Sequence, residues 1–142
     1  MSSIAESLER VAREYGVVAL YAFGSRGDEI AARVRDKPVP PGPPASDADI
    51  AVQLEPGRRL TGRDRVRLSG ELEDLLAAKR VDLVVLPEAD PFLALDVIRG
   101  ELLYCADPDH QAEDELYILR RAGDLAHYAR ERWQQILAGP TA

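Results

Sequence analysis

DADIAVQL, residues Asp47–Leu54, is apolar from Ile50 onward except at Gln53 and is ended by Glu55-Pro56-Gly57, yet it opens on two aspartates. Residues two apart on a strand share a face, so Asp47 and Asp49 point one way while Ala48 and Ile50 point the other. Two carboxylates on one face repel each other. A divalent cation between them relieves that repulsion most simply, and oxygen donors suit magnesium rather than zinc. Taken alone, an Asp-x-Asp pair is more often a loop-to-strand boundary in which the first residue satisfies a turn and the second is solvated. The neighbouring segments shift that balance.

Upstream, Val17–Phe23 (VVALYAF) is continuously apolar and reads as a strand buried on both faces. It runs into the turn Gly24-Ser25-Arg26-Gly27, where glycine permits close backbone approach and a hydroxyl beside free amides can hold a phosphate. Arg26, next to Ser25, is placed to reach a triphosphate, and an ion pair with Asp28 or Glu29 is its structural alternative. Downstream, Val81–Leu86 (VDLVVL) reads as a third strand closed by Pro87. It carries Asp82, a third carboxylate that completes a two-metal site if the strands are neighbours. The chain has no G-x-x-x-x-G-K-[ST] segment, so a P-loop ATPase or kinase is not supported.

Around these strands the periodicity is helical. Ser3 and Glu6 form a capping box before Ile4, Leu8, Val11, Ala12 and Tyr15, with Gly16 as the stop. Asp28–Arg35 adds a short helix. Thr61 and Asp64 start another helix, with Val66, Leu68, Leu72, Leu75 and Leu76 as its apolar stripe. Asp90-Pro91 caps a short helix carrying Phe92, Leu95 and Ile98 and ending at Gly100, and Leu102–Cys105 reads as an edge strand. Asp107-Pro108 repeats the signal before a long helix over 108–138, in which Leu119, Ala122, Ala126, Ala129, Trp133 and Ile136 keep helical spacing. Tyr117, Tyr128 and Trp133 there are read as packing on the sheet, with a docking role for the helix as the second reading. Helices alternating with short apolar strands give an α/β (α+β) domain.

The chain has 142 residues, 46% of them hydrophobic, and a formal net charge of −7, which suits a single domain over 1–142. That charge offers no overall field toward a nucleic-acid backbone or an anionic membrane. The lone Cys105 and the charged N-terminus lead us to expect a soluble cytoplasmic protein. Lys37–Pro44 (KPVPPGPP) is expected to be an exposed inserted loop, disordered in the first reading and a partner contact in the second. Arg58, Arg59, Arg63, Arg65 and Arg67 crowd the start of the Thr61 helix, where the macrodipole disfavours them, and fit an anionic partner about as well as a solvated face. His110 and His127, 17 residues apart, are read as surface residues.

Over roughly residues 17–86 the chain resembles the polymerase-beta-like nucleotidyltransferases. Within them it is most similar to the minimal nucleotidyltransferase (MNT) antitoxins, which are paired with HEPN ribonuclease toxins. AFGSRG (Ala22–Gly27), SDADIAV (Ser46–Val52) and VDLVVL (Val81–Leu86) carry the resemblance, and RGELLY (Arg99–Tyr104) extends it. The resemblance implies a polymerase-beta-like fold in which Gly24 and Ser25 contact nucleotide phosphates, Asp47 and Asp49 bind two Mg²⁺ ions, and Asp82 is the third carboxylate. It further implies transfer of AMP from ATP to a tyrosine of the toxin, and assembly with that toxin. Arg26–Ser46 is longer than the corresponding spacer in such antitoxins. An antitoxin that acts by occlusion alone is one competing reading; transfer to a small-molecule acceptor is another, for which 142 residues leave little room for a second domain.

Overall fold

A computed structural model describes residues 3–39 and 47–139. Four strands form a mixed sheet in the order β3-β2-β1-β4, with β1 Val17–Phe23, β2 Asp47–Leu54, β3 Arg80–Val85 and β4 Glu101–Cys105. β1 runs antiparallel to both β2 and β4, whereas β2 and β3 are parallel. Parallel neighbours need a crossover, and α3 (Gly62–Leu76) supplies it. The capping box at its start is formed by Thr61 and Asp64 as the sequence implied.

Alternation along the strands divides the core in two. Leu20, Ala22, Ile50 and Val52 face α1 (Ile4–Tyr15), α2 (Gly27–Val34) and α3, where they meet Leu8, Ile30, Leu68 and Leu72. Ala19, Tyr21 and Ala51 face the other way, toward Ala94 and Val97 of α4 (Pro91–Ile98) and Ile118 of α5 (Pro108–Ala138). Tyr21 fastens α5 to the sheet, because its hydroxyl accepts from the Gln111 amide and donates to Glu115.

Several expectations are corrected. Gly24–Arg26 is a 3₁₀ turn that runs directly into α2, and β3 begins at Arg80 and ends at Val85, with Leu86 in a second 3₁₀ turn. Val66 is 74% exposed. Leu68, Leu72 and Leu76 bury at a spacing of four, and a residue two before Leu68 falls on the opposite side of the helix. Phe92 is half exposed. The larger correction concerns α5: of its expected apolar stripe only Ala122 is buried, while Tyr117, Tyr128 and Trp133 are exposed. The reason is length, since 31 helical residues span about 46 Å at ~1.5 Å each, whereas seven-residue β1 spans about 23 Å at ~3.3 Å each. The helix outruns the sheet it packs on. Residues 40–44 of the proline-rich loop lie outside the described residues, and Lys37–Val39 before them are exposed.

Candidate active site

The strand directions bring the C-terminal end of β1 together with the N-terminal ends of β2, β3 and β4. Asp47, Asp49, Asp82 and the Gly24-Ser25 turn therefore share one end of the sheet. In the β2–β3 ladder Asp49 is the register partner of Asp82, and Phe23, the last residue of β1, is the register partner of Asp49. Ala48, Ile50, Val81 and Val85 face α1 and α3, so by alternation all three aspartates lie on the other face, the one covered farther along by α4 and α5. Asp47 is exposed, and Asp49 is half-buried between its neighbours.

Asp49 shows what this juxtaposition costs. Burial raises its carboxyl above the usual carboxylate range, and the charges of Asp82 and Asp47 raise it further. Gly24 meets the same carboxylate from the turn that follows β1. A Cβ on Gly24 would lie 2.3 Å from Asp49 Oδ2, and the backbone there has φ +72°, so both space and conformation call for glycine.

Asp82 is engaged sideways, since its Oδ1 lies 3.2 Å from Arg80 Nε. Among the described residues no three His, Cys, Asp or Glu side chains are gathered as a metal site would gather them. The donor set still fits a hard divalent cation in kind and in register: carboxylates alone, on one face, with Asp49 raised by burial and then by two like charges that a cation would relieve.

Arg26 takes its structural alternative. Only 5% exposed, it grips Glu29 in a bidentate pair, with Nε 2.7 Å from Oε2 and Nη2 3.1 Å from Oε1. Arg33 approaches the same carboxylate, and Arg26 first and Arg33 after it hold Glu29 below its usual range. Ser25 is exposed on the turn. The arginines near the start of α3 lie toward the opposite end of the sheet, where Arg65 pairs with Glu88 and Arg58 donates to the Glu14 carbonyl. His110 and His127 pair with Asp114 and Glu131 on their own helix, the latter histidine 71% exposed.

Beside the turn opens a cleft of about 500 Å³, walled by Gly24, Gly27, Asp28, Asp96, Arg99 and Glu101. The sequence reading did not single out Arg99. The available signal was the Arg99-Gly100 pair closing α4, where a Cβ on Gly100 would lie 2.5 Å from the Ala22 carbonyl oxygen.

The family model described as polymerase beta, nucleotidyltransferase matches residues 6–109. No curated protein matches the chain. Among solved structures, a chain from the crystal structure of a toxin–antitoxin with AMP-PNP is 24% identical, with 93% of this chain and 94% of that chain covered and a TM-score of 0.61. A chain of the toxin–antitoxin MntA-HepT is also 24% identical, covering 94% and 93%, with a TM-score of 0.57. A third, from the tri-AMPylated Shewanella oneidensis HEPN toxin in complex with MNT antitoxin, is 24% identical over 94% and 92%, with a TM-score of 0.58. At this identity the likeness is one of fold: a mixed four-stranded sheet, helices on both faces, and a long C-terminal helix.

Proposed function

The chain belongs to the polymerase beta nucleotidyltransferase family, and from that premise we propose that it is an antitoxin that moves AMP from ATP onto a tyrosine hydroxyl of a cognate HEPN ribonuclease and so silences it. The whole of 1–142 is read as one nucleotidyltransferase domain. The observation that carries the reading is the meeting of Gly24, Asp49 and Asp82 at one sheet end: a glycine turn that makes room, beside a pair of carboxylates of which Asp49 is held at a cost. What the fold relatives contain supports the proposed acceptor class. One was crystallised with AMP-PNP, and another contains an AMPylated HEPN toxin.

In the proposed reaction the acceptor hydroxyl gives up its proton to water or to Asp82, its oxygen attacks the α-phosphorus of ATP, the bond from that phosphorus to the α,β-bridging oxygen breaks, and pyrophosphate leaves. Gly24 lets the phosphates approach the backbone, and the Ser25 hydroxyl with the amides of the turn donates to them. Asp47 and Asp49, with Asp82 released from Arg80, would hold Mg²⁺. When bound, the ions would neutralise the triphosphate and lower the pKa of the acceptor hydroxyl. Arg26 acts from behind the turn, bracing it through Glu29.

The test is the intact mass of the HEPN partner after incubation with this protein, Mg²⁺ and ATP, beside an Asp47→Asn/Asp49→Asn control. Whole adenylyl units that vanish in the control are the expected result. Occlusion without transfer is the second reading, favoured by the Arg80–Asp82 pair and by the exposed aromatics of α5. A stable complex with blocked RNase activity and no gain in mass would establish it instead.

A further inference from the structure

We infer that Arg99 is the cation that holds the triphosphate of the donor nucleotide, from within the cleft that the Gly24 turn shares with the α4–β4 junction. The inference rests on the nucleotide-transfer reading and adds to it a residue and a subsite. A triphosphate brought to this sheet end meets Asp47, Asp49 and Asp82, so a basic side chain facing it is needed beside the divalent ions. The nearby arginines are committed elsewhere. Arg26 is buried on Glu29, Arg33 leans on the same carboxylate, and Arg35 pairs with Glu101, while Arg80 stands on β3, across β2 from the Gly24 turn, and does not line the cleft. Arg99 is exposed, lines the cleft with Gly24 and Gly27, and enters none of the ion pairs among the described residues.

Its place is fixed by packing rather than by chance. Gly100 lies so close to Ala22 and Phe23 that no side chain fits between, and Glu101 then pairs in register with Ala22. The close contact sets the Arg99 backbone beside the end of β1, where the Gly24 turn begins. The cleft, at about 500 Å³, falls within the ~300–1,000 Å³ range of small-molecule sites. Asp28 and Asp96 on its walls oppose a bare polyanion and admit one whose charge is already partly compensated by a divalent cation.

The experiment is calorimetric titration of the full chain with ATP and with AMP, both with Mg²⁺, for the parent protein and for Arg99→Ala, Arg99→Gln and Arg99→Lys. The parent is expected to bind ATP. Arg99→Ala should weaken ATP about ten- to hundredfold while leaving AMP within about twofold, and Arg99→Lys should recover part of the loss. Arg99→Gln keeps much of the side-chain stem without the charge, and is read alongside in case the alanine variant misfolds. Unchanged ATP affinity overturns the assignment; if transfer to the partner falls at the same time, the cleft belongs to the acceptor. Equal losses for ATP and AMP would also overturn it, since they would mark a structural role. A parent protein that binds no ATP sinks the transfer reading itself, and this assignment with it.

Discussion

Glu29 carries more than its position on a short helix suggests. It accepts both forks of the Arg26 guanidinium, and Arg33 reaches it from the next turn of α2. These two arginines hold its carboxyl below the usual 4.5. A carboxylate with a lowered folded pKa contributes stability that is present above the unfolded value and is lost as pH falls through the folded one. Glu29→Gln is therefore expected to cost about 2 kcal/mol at neutral pH, less than a fully buried pair because Glu29 keeps some solvent contact. Urea denaturation of the two proteins checks this: the difference should shrink as the pH falls from the ordinary glutamate range and vanish once it drops below the lowered folded value. A difference that persists there would mean that packing, and not the ion pair, holds Arg26. Gly24 shows the same economy, one residue meeting a steric need set by Asp49 and a backbone need set by φ +72°.

The element that departs most from expectation is α5. Its first half is anchored through Gln111, Glu115, Ile118 and Ala122, while every side chain from His127 to Ala138 is exposed. Leu, Arg, Glu, Gln and Ala favour the helix locally, and continuity with the packed half removes the cost of nucleation. Truncation after Ala126 is accordingly expected to change the unfolding free energy by less than about 1 kcal/mol. Thermal and denaturant melts of the shortened chain measure it, and a loss of several kcal/mol would show that the overhang packs on the body. Pull-down with the proposed HEPN partner on the same variant tells whether Tyr128, Trp133 and Ile136 serve binding to it. β1 is the opposite case: seven apolar residues with helices on both faces have little choice but the middle of a sheet.

At the scale of the whole molecule Asp49 carries a stability cost set by its burial and by the carboxylates beside it at one sheet end. Asp49, raised by burial and by two neighbouring carboxylates, releases less free energy on ionising in the fold than it would in the unfolded chain. Mg²⁺ should therefore raise the melting temperature of the parent protein by a few degrees and leave Asp47→Asn/Asp49→Asn unmoved. In metal-free buffer the double variant should melt higher than the parent, because the repulsion is gone. A parent protein indifferent to Mg²⁺ at millimolar concentration would argue that the carboxylates do not hold the ion. No helix among the described residues is long and apolar enough to cross a membrane.

The sequence by itself determined whatever depends on neighbours along the chain. Ser3, Thr61, Asp90 and Asp107 cap their helices through side-chain oxygens, Gly16 ends α1 in the left-handed conformation, and period-2 spacing puts Asp47 and Asp49 on one face. Local hydrogen bonds and periodicity decide those features, so they can be read without a fold. Only the tertiary structure decided which strand lies beside which, and hence that Asp82 stands opposite Asp49 while Gly24 presses on it from the other side. It also decided that Arg26 turns inward to Glu29 while Arg99 lines the cleft beside Gly24, and that α5 runs past the sheet instead of lying along it. Pairing order, the choice among charged partners and the length of sheet available to a helix are set by distances between segments remote in the chain, and no local pattern encodes them.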